Sequence, residues 1–324
     1  MSGQRLVIAL GGNAIAPAGT GGTAEEQTRN IGEAMRLVAD LIHAGHEVVL
    51  THGNGPQVGN LLLKNDLAKD IVPPMPLDWC VAQTQATIGF TMCTALEAEL
   101  DRHGLPLPVI PLVSRVRVDR DDPAFDDPTK PIGRYVTDPE EVERQVAATG
   151  QVWQRQGDRG WRRVVASPEP RELLDGESLR LVLAGGAVAV ANGGGGVPMV
   201  RDPERGLVGV EAVIDKDLAA VLLAEHISAD RLVILTDVAG VAVNYGTPDE
   251  RWLTEVTASE LRALQAEGHF RAGSMGPKVE ACLRFAESTA GGRRPPGAAS
   301  AAIGALEDIA AVADGKAGTQ VLGA

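Results

Sequence analysis

Residues 5–13 read RLVIALGGN, and this stretch decides the fold. Five apolar residues follow Arg5 without a break, which is typical of a strand buried on both faces, and a glycine pair then ends the run. Helical spacing of apolar residues begins at Thr23 and continues to residue 44. The first unit is therefore predicted to be a strand, a glycine turn and a helix.

The alternation of strand and helix repeats along most of the chain. Further strands are predicted over residues 46–50, 108–113 and 187–191, and another ends at LTD, residues 235–237. Further helices are predicted over residues 57–65, 77–103, 179–184, 218–226, 257–267 and 277–287. A turn-rich loop at 291–297 precedes a last strand, helix and strand. This order predicts an α/β fold, in which an open, mostly parallel twisted sheet lies between layers of helices.

Residues 114–167 interrupt the alternation. They contain Asp-Pro pairs at 122–123 and 127–128, among further acidic residues. Asp138 has the features of a helix N-cap, because a proline and two glutamates follow it, and a short helix is predicted over 138–148. We interpret the segment as an inserted subdomain.

The composition limits the classes of function. The chain has 324 residues, of which 44% are apolar, and this is sufficient for one large α/β domain or two lobes. A net charge of -13 opposes non-specific binding to nucleic acid or to an anionic membrane, since both require a basic surface. Three cysteines in apolar helical contexts, Cys80, Cys93 and Cys282, favour buried thiols in a reducing compartment. The apolar run ending at residue 10 is too short for a signal peptide, so a cytoplasmic protein is expected.

Lysine is rare in this chain, and its placement indicates a phosphate site. Only six of the 30 basic residues are lysines, and the rest are arginines. Lys130, Lys216 and Lys278 lie in the restricted settings PTKP, DKD and GPK. A retained lysine suggests a site that needs a compact, mobile ammonium group. Near a helix N-terminus, where Lys278 is predicted, a cation is easiest to explain if an anion lies between it and the helix.

Glycine loops follow three predicted strands at the same edge of the sheet. They are GGN at 11–13, GNG at 53–55 and NGGGG at 192–196. Backbone N–H groups in such loops can approach a phosphate closely, and Asn54 adds amide donors. His52 is interpreted as a packed residue more than as a base. The chain has neither the Gly-x-Gly-x-x-Gly fingerprint of dinucleotide folds nor a P-loop, which opposes a nicotinamide-dependent oxidoreductase.

Longer strings combine these features. Several of them resemble the carbamate kinases of the amino acid kinase family: ALGGNA (9–14), THGNGPQVG (51–59), DPAF with PTKPIG (122–125 and 128–133) and GVEAVIDKDLAA (209–220). So do LTDV (235–238), NYG (244–246) and GSMGPKVE (273–280). The resemblance covers almost the whole chain, and the PTK insertion separates carbamate kinases from the acetylglutamate, aspartate and uridylate kinases of the same family.

The resemblance implies one amino acid kinase domain over residues 1–324, and a homodimer. An N-terminal acceptor lobe, 1–209, is expected to carry a protruding lid subdomain at 114–167, and a C-terminal lobe, 210–324, to bind ATP. The residues implied to contact the phosphoryl group or the acceptor are Gly11, Gly12, Asn13, Gly53, Asn54, Gly194 and Gly195. Those implied to be catalytic are Lys130, Lys216, Asp217 and Lys278, with Asp217 as the organiser of the lysines. Those implied to lie near the nucleoside are Thr236, Asp237, Tyr245 and Met275.

The activity implied is reversible phosphoryl transfer between ATP and carbamate, giving ADP and carbamoyl phosphate, with Mg²⁺ bridging the nucleotide phosphates. Carbamate is already an anion, so the reaction needs positioning and charge neutralisation more than a general base. The usual direction in the family is ATP production from carbamoyl phosphate, as in arginine catabolism. No protein ligand of Mg²⁺ can be read from the sequence. Two alternatives stay open: another kinase of this fold acting on a small carboxylate or phosphonate, and a non-catalytic nucleotide-binding regulator.

Some positions depart from the family pattern. Related kinases have a lysine two residues before the Gly-Gly pair, where this chain has Ala9, and Lys130 can supply that charge from the lid. Trp79 and Val81 stand where smaller residues are usual, and Ser114-Arg115 where Thr-Gln is commoner. The acceptor side of the site is therefore where this chain differs most.

Overall fold

The fold is organised around an eight-stranded sheet. A computed structural model describes residues 3–16, 22–270, 275–288 and 299–323. The strands are β1 (Arg5–Leu10), β2 (Glu47–His52), β3 (Val109–Pro111), β4 (Arg115–Arg117), β5 (Lys130–Val136), β6 (Val152–Arg155), β7 (Trp161–Val165), β8 (Glu172–Leu173), β9 (Val188–Val190), β10 (Val197–Asp202), β11 (Gly206–Gly209), β12 (Arg231–Thr236), β13 (Val241–Val243), β14 (Arg251–Leu253), β15 (Glu255–Thr257), β16 (Ala299–Ala305) and β17 (Thr319–Leu322). The helices are α1 (Gly12–Ile15), α2 (Ala24–His43), α3 (Gly55–Ala68), α4 (Leu77–Arg102), α5 (Pro139–Thr149), α6 (Gly176–Ala184), α7 (Lys216–His226), α8 (Ala258–Ala266), α9 (Met275–Glu287) and α10 (Ile309–Ala313).

The main sheet is mostly parallel, as predicted. Its strand order is β15-β17-β16-β12-β1-β2-β9-β3, and the neighbours from β16 to β3 all pair in parallel. Within it Leu10 lies opposite His52 on one side and Leu235 on the other. The carboxyl ends of the central strands therefore meet at one edge, which is where open α/β sheets bind ligands.

The core lies on both faces of this sheet, and β1 shows why. Leu6, Ile8 and Leu10 join one apolar cluster with residues of α2, α4 and α10, while Val7 and Ala9 join another with residues of α7 and α9. Successive side chains of a strand point to opposite faces, so an uninterrupted apolar run serves both layers. This explains why residues 6–10 are apolar without alternation.

A three-stranded antiparallel sheet, β5-β7-β6, stands apart from the main one and carries α5. We call residues 130–165 the lid. Its base is fixed by apolar contacts, in which Ile132 and Val165 pack in a buried cluster with Val58 and Leu62 of α3. The preceding strand β4 belongs instead to a four-stranded sheet, β11-β10-β4-β8. The division into an acceptor lobe, a subdomain at 114–167 and a nucleotide lobe stays a prediction.

Element boundaries differ from the predictions in ways that bear on the site. Strand β2 continues through His52, and α7 begins at Lys216 with Asp215 as its N-cap, two residues earlier than expected. Helix α6 begins at Gly176, about one turn before the predicted start, and Asp175 precedes it without a side-chain cap because its carboxylate binds Arg115. The hairpins β10-β11 and β13-β14 were not predicted. The predicted loop at 291–297 and the motif residues 273–274 lie outside the described residues.

Candidate active site

Asp217 brings two of the three lysines together. Its carboxylate is buried in the first turn of α7, where one oxygen accepts the ammonium of Lys216 and the other accepts that of Lys278 from α9, the latter at 3.2 Å. Helices α7 and α9 pack against each other in the layer that covers one face of the sheet. Asp217 thus lies between two of the lysines, and its predicted role as their organiser in catalysis stays a prediction.

Lys130 reaches the same place from the lid. Its ammonium lies 2.7 Å from Oδ2 of Asp215, the residue that caps α7. Asp215 was named in the sequence motif but given no role of its own. The three lysines and two carboxylates carry a net charge of about +1, which suits a site that receives an anion.

Gly53 makes room for Lys216 at the end of β2. A Cβ at Gly53 would lie 2.9 Å from the backbone nitrogen of Gly12 and 3.3 Å from Cδ of Lys216. The glycine loops after β1 and β2 therefore touch each other and the lysine side chain. The sequence predicts that backbone N–H groups of the first glycine loop approach a phosphate. The N–H of Gly11 instead donates to Leu235 O within the sheet. Asn13 lies on α1.

The turn at 193–196 forms one wall of the site, on the side where the acceptor is expected. A Cβ at Gly193 would lie 2.2 Å from Nε2 of His52, and one at Gly194 would lie 2.1 Å from Nδ2 of Asn54. Gly194 also has φ +63°, a conformation that other residues adopt with strain. A Cβ at Gly195 would lie 2.6 Å from Ile214 O, next to Asp215. These close approaches explain the glycine run and place it beside Ile214, which directly precedes Asp215.

Asn54 is held by a residue that the sequence did not reveal. Asparagine is a favoured N-cap, and Asn54 precedes α3, but its amide makes no cap. Its Nδ2 instead donates to Oγ1 of Thr84 at 2.8 Å, and that hydroxyl donates to Val81 O. The available signal was a pair of polar residues, Thr84 and Gln85, in the mostly apolar stripe of α4 that is buried.

The departures from the family pattern fall in three different environments. Trp79 is 62% exposed on α4, whereas Val81 is buried in the cluster that fixes the lid. Ser114 is buried, and its hydroxyl accepts the N–H of Asn192 at 3.0 Å, so it fixes the start of the glycine run. Of these residues, Ser114 bears most directly on the acceptor side.

The residues expected near the nucleoside follow β12 or begin α9. Thr236 ends β12 and its hydroxyl donates to Oδ1 of Asp237 at 3.0 Å. Met275 opens α9 and packs against the core cluster of that layer. Tyr245 lies between β13 and β14, half exposed, with its ring edge-on to Trp252 at 6.1 Å. Their role in nucleotide binding stays a prediction.

His52 is packed, as interpreted from the sequence. The side chain is buried, and its Nδ1 lies 3.0 Å from Gly53 O, which fits a neutral ring donating to that carbonyl. Burial lowers the pKa of His52 to about 4, opposed by this hydrogen bond and helped by the charge of Lys216. A base with so low a pKa is neutral at pH 7 and has little capacity to accept a proton there.

The buried ring gives a prediction for stability. The unfolded chain takes up a proton at His52 near pH 6.5, and the folded chain only near pH 4, so protons favour unfolding between these values. We expect the free energy of unfolding to fall as the pH decreases through this window, by on the order of 3 kcal/mol. Urea denaturation from pH 7 to 4 tests this. The decrease should be smaller in His52→Gln and unchanged in His43→Gln, a control at an exposed ring; equal slopes in all three proteins would contradict it.

Comparison with known proteins agrees with this geometry. The sequence model of the amino acid kinase family matches residues 4–294. The chain belongs to the amino acid kinase family. Its relatives include carbamate kinases from Pyrococcus furiosus, 45% identical over 99% of both chains, and from Thermococcus kodakarensis, 46% identical over 98% of this chain and 99% of that one.

A solved structure extends the likeness of this family member to three dimensions. The carbamate kinase from Giardia lamblia bound to AMP-PNP superposes with a TM-score of 0.90 and 39% identity, over 99% of each chain. Both the amino acid kinase fold and the resemblance to carbamate kinases, predicted from the motifs, are thereby confirmed. None of the helices in the described part of this kinase has the length and apolar character needed to cross a membrane.

Proposed function

We propose that this protein is a carbamate kinase, which transfers a phosphoryl group reversibly between ATP and carbamate to give ADP and carbamoyl phosphate. The observation that carries the proposal is the meeting of Lys130, Lys216 and Lys278 on two adjacent carboxylates, in a chain that is 45% identical to a carbamate kinase over 99% of both chains. Three ammonium groups from the lid, α7 and α9 can neutralise the charge that spreads over a phosphoryl group in transfer.

The chain's own groups divide the work of the reaction. Lys216 and Lys278 lie along the ATP phosphates, and Lys130 approaches the transferring group from the lid side. Gly12 and Gly53 provide close backbone approach, and Asn54 orients the acceptor. A carbamate oxygen needs no deprotonation before attack, which fits a site whose buried histidine has a low pKa.

Magnesium is proposed to enter as part of the nucleotide substrate. Among the described residues, no group of three or more His, Cys, Asp or Glu side chains could hold a metal ion. The carboxylates nearest the phosphates, Asp215 and Asp217, already bind lysines. This donor set fits a Mg²⁺ ion whose ligands would be chiefly nucleotide oxygens and water, and which would neutralise part of the phosphate charge.

The reverse assay tests substrate and reaction type together. Purified protein is mixed with ADP, Mg²⁺ and carbamoyl phosphate, and ATP is measured against a panel that includes acetyl phosphate and a phosphonate. ATP formation from carbamoyl phosphate at a rate well above the other donors is expected. Preference for another donor would indicate a different kinase of this fold, and ATP binding without any turnover would indicate a regulator.

The cellular setting is a further part of the proposal. The enzyme is expected to work in the cytoplasm and to make ATP from carbamoyl phosphate during arginine or other carbamoyl phosphate catabolism. A strain that lacks the gene should lose growth that depends on fermentation of arginine. Normal growth under that condition would contradict this cellular role but would leave the proposed reaction unaffected.

We also propose that the protein is a homodimer. Trp79 and Phe90 of α4 are 62% and 58% exposed. They are eleven residues apart, close to three full turns, so they lie on the same side of the helix. Exposed aromatic side chains grouped in this way are typical of interfaces. Sedimentation is expected to give a dimer, and Phe90→Glu to give more monomer. Leu181→Glu, a control at an apolar residue on α6 that is 76% exposed, should remain dimeric; a monomeric wild type would exclude the proposal.

A further inference from the structure

One carboxylate, that of Asp215, joins two parts of the site that are distant in the sequence. Its Oδ1 accepts the N–H of Asp217 at 2.9 Å and so caps α7. Its Oδ2 accepts the ammonium of Lys130 at 2.7 Å, across 85 positions of the sequence. The same side chain therefore fixes the lid lysine and the helix that carries Lys216.

Capping alone does not account for this carboxylate. Serine, threonine or asparagine would cap α7 as well, without a charge. Burial acts to raise the pKa of the Asp215 carboxyl, but the charge and hydrogen bond of Lys130, with the charge of Lys216, outweigh it and hold the pKa below its usual value. The negative charge is thus maintained, and it is directed at the lid.

The other lysines make this charge necessary. Lys216 and Lys278 already share Asp217, so a third ammonium would meet net repulsion there. The side chain of Lys130 is 33% exposed, so water is an available alternative for its ammonium group. Asp215 offsets the repulsion and favours the position beside α7.

We propose that Asp215 is a positioning residue, which draws Lys130 to the N-terminus of α7 and so holds the lid where the acceptor and the ATP phosphates meet. The inference rests on the proposed function, because phosphoryl transfer gives Lys130 its catalytic role. Asp215 acts through Lys130 and does not itself contact the reacting atoms.

A double-mutant cycle tests whether Asp215 acts through Lys130. Asp215→Asn keeps the shape and the cap but removes the charge, and it is expected to lower kcat about 10-fold or more in the reverse assay. In a Lys130→Ala background the same substitution should have almost no further effect on kcat. If the two losses simply multiply, Asp215 works independently of the lid lysine and the inference is wrong.

Hydrogen exchange gives a readout that does not depend on turnover. Without any substrate, amides at 130–136 should exchange several-fold faster in Asp215→Asn and in Asp215→Ser, whose hydroxyl caps the helix but is too short for Lys130. The matched control is Thr257→Ser, which changes another N-cap, that of α8 outside the lid, and should leave exchange at 130–136 as in the wild type. If exchange of β5 is unchanged in both Asp215 variants, the inference fails. If the wild type makes no ATP from carbamoyl phosphate, the proposed function fails, while exchange still decides whether Asp215 holds the lid.

Discussion

Lys130→Ala is expected to slow phosphoryl transfer by roughly 10²-fold to 10³-fold. At about 4 Å and an effective dielectric near 20, one ammonium contributes about 4 kcal/mol of gross attraction to a phosphoryl oxygen, before desolvation is subtracted. The side chain is partly exposed, so water screens part of this attraction and replaces part of it in the variant. The loss should appear mainly in kcat, because Lys130 approaches from the lid and not from the nucleotide side. The measurement is ATP formation from ADP and carbamoyl phosphate.

The control for this variant is Lys316→Ala. Lys316 pairs with Asp314 at 2.7 Å and its side chain is 72% exposed. Lys316→Ala therefore removes an ammonium group from a carboxylate, as Lys130→Ala does, but away from the site. Its turnover and its stability should equal those of the wild type. Lys130→Ala should also fold normally and bind ATP with little loss. Normal turnover in Lys130→Ala would remove the catalytic role of the lid and, with it, the main structural support for a carbamate kinase.

Asp217→Asn is expected to have the largest effect on stability. Its side chain is 4% exposed and binds two lysines whose own side chains are 13% and 16% exposed. Removing the carboxylate leaves the buried lysine charges without compensation, and this is expected to lower the free energy of unfolding by about 3–5 kcal/mol. Nucleotide phosphates can replace the lost carboxylate. ATP should therefore stabilise the variant more than it stabilises the wild type.

Chemical denaturation with and without ATP measures both parts of this prediction. Asp314→Asn removes a carboxylate from the exposed pair with Lys316 and is the control; its free energy of unfolding should change by less than about 1 kcal/mol. A similar small change in Asp217→Asn would contradict the prediction. A large loss of stability that ATP does not reduce would show that the two lysines do not face the nucleotide.

Local patterns were sufficient to predict the sheet but not the contacts across the site. The run at 6–10 and the capped start of α2 at Thr23 depend on neighbouring residues, so periodicity and capping chemistry reveal them. The pairing of Lys130 with Asp215 joins residues far apart in the chain, and local rules do not encode such pairs. Helix α7 shows the same limit, because its N-cap Asp215 was interpreted as part of a charged triplet.

Two site residues were missed for a related reason. Thr84 lies on α4 beside Gln85, and two buried polar residues on a helix that carries other threonines have no pattern that separates structure from function. Ser114 was noted only as a departure from the family, and its bond to Asn192 appears only when β3 pairs with β9 and β4 pairs with β10. The glycine run at 192–196 was predicted as part of the site. The reason that these residues are glycines could not be predicted, because the rings and amides that fill the space of any side chain are brought there by the fold.

The glycine turn at 193–196 also limits how the substrate range of this enzyme can be changed by engineering. Because His52, Asn54 and Val116 occupy the space of any added side chain, this wall cannot be reshaped by single substitutions. Larger acceptors would have to be admitted by changes at Thr84 or at the base of the lid, which are built from ordinary side chains. A library for altered acceptors is therefore best directed at α4 and β5, with residues 193–196 kept unchanged.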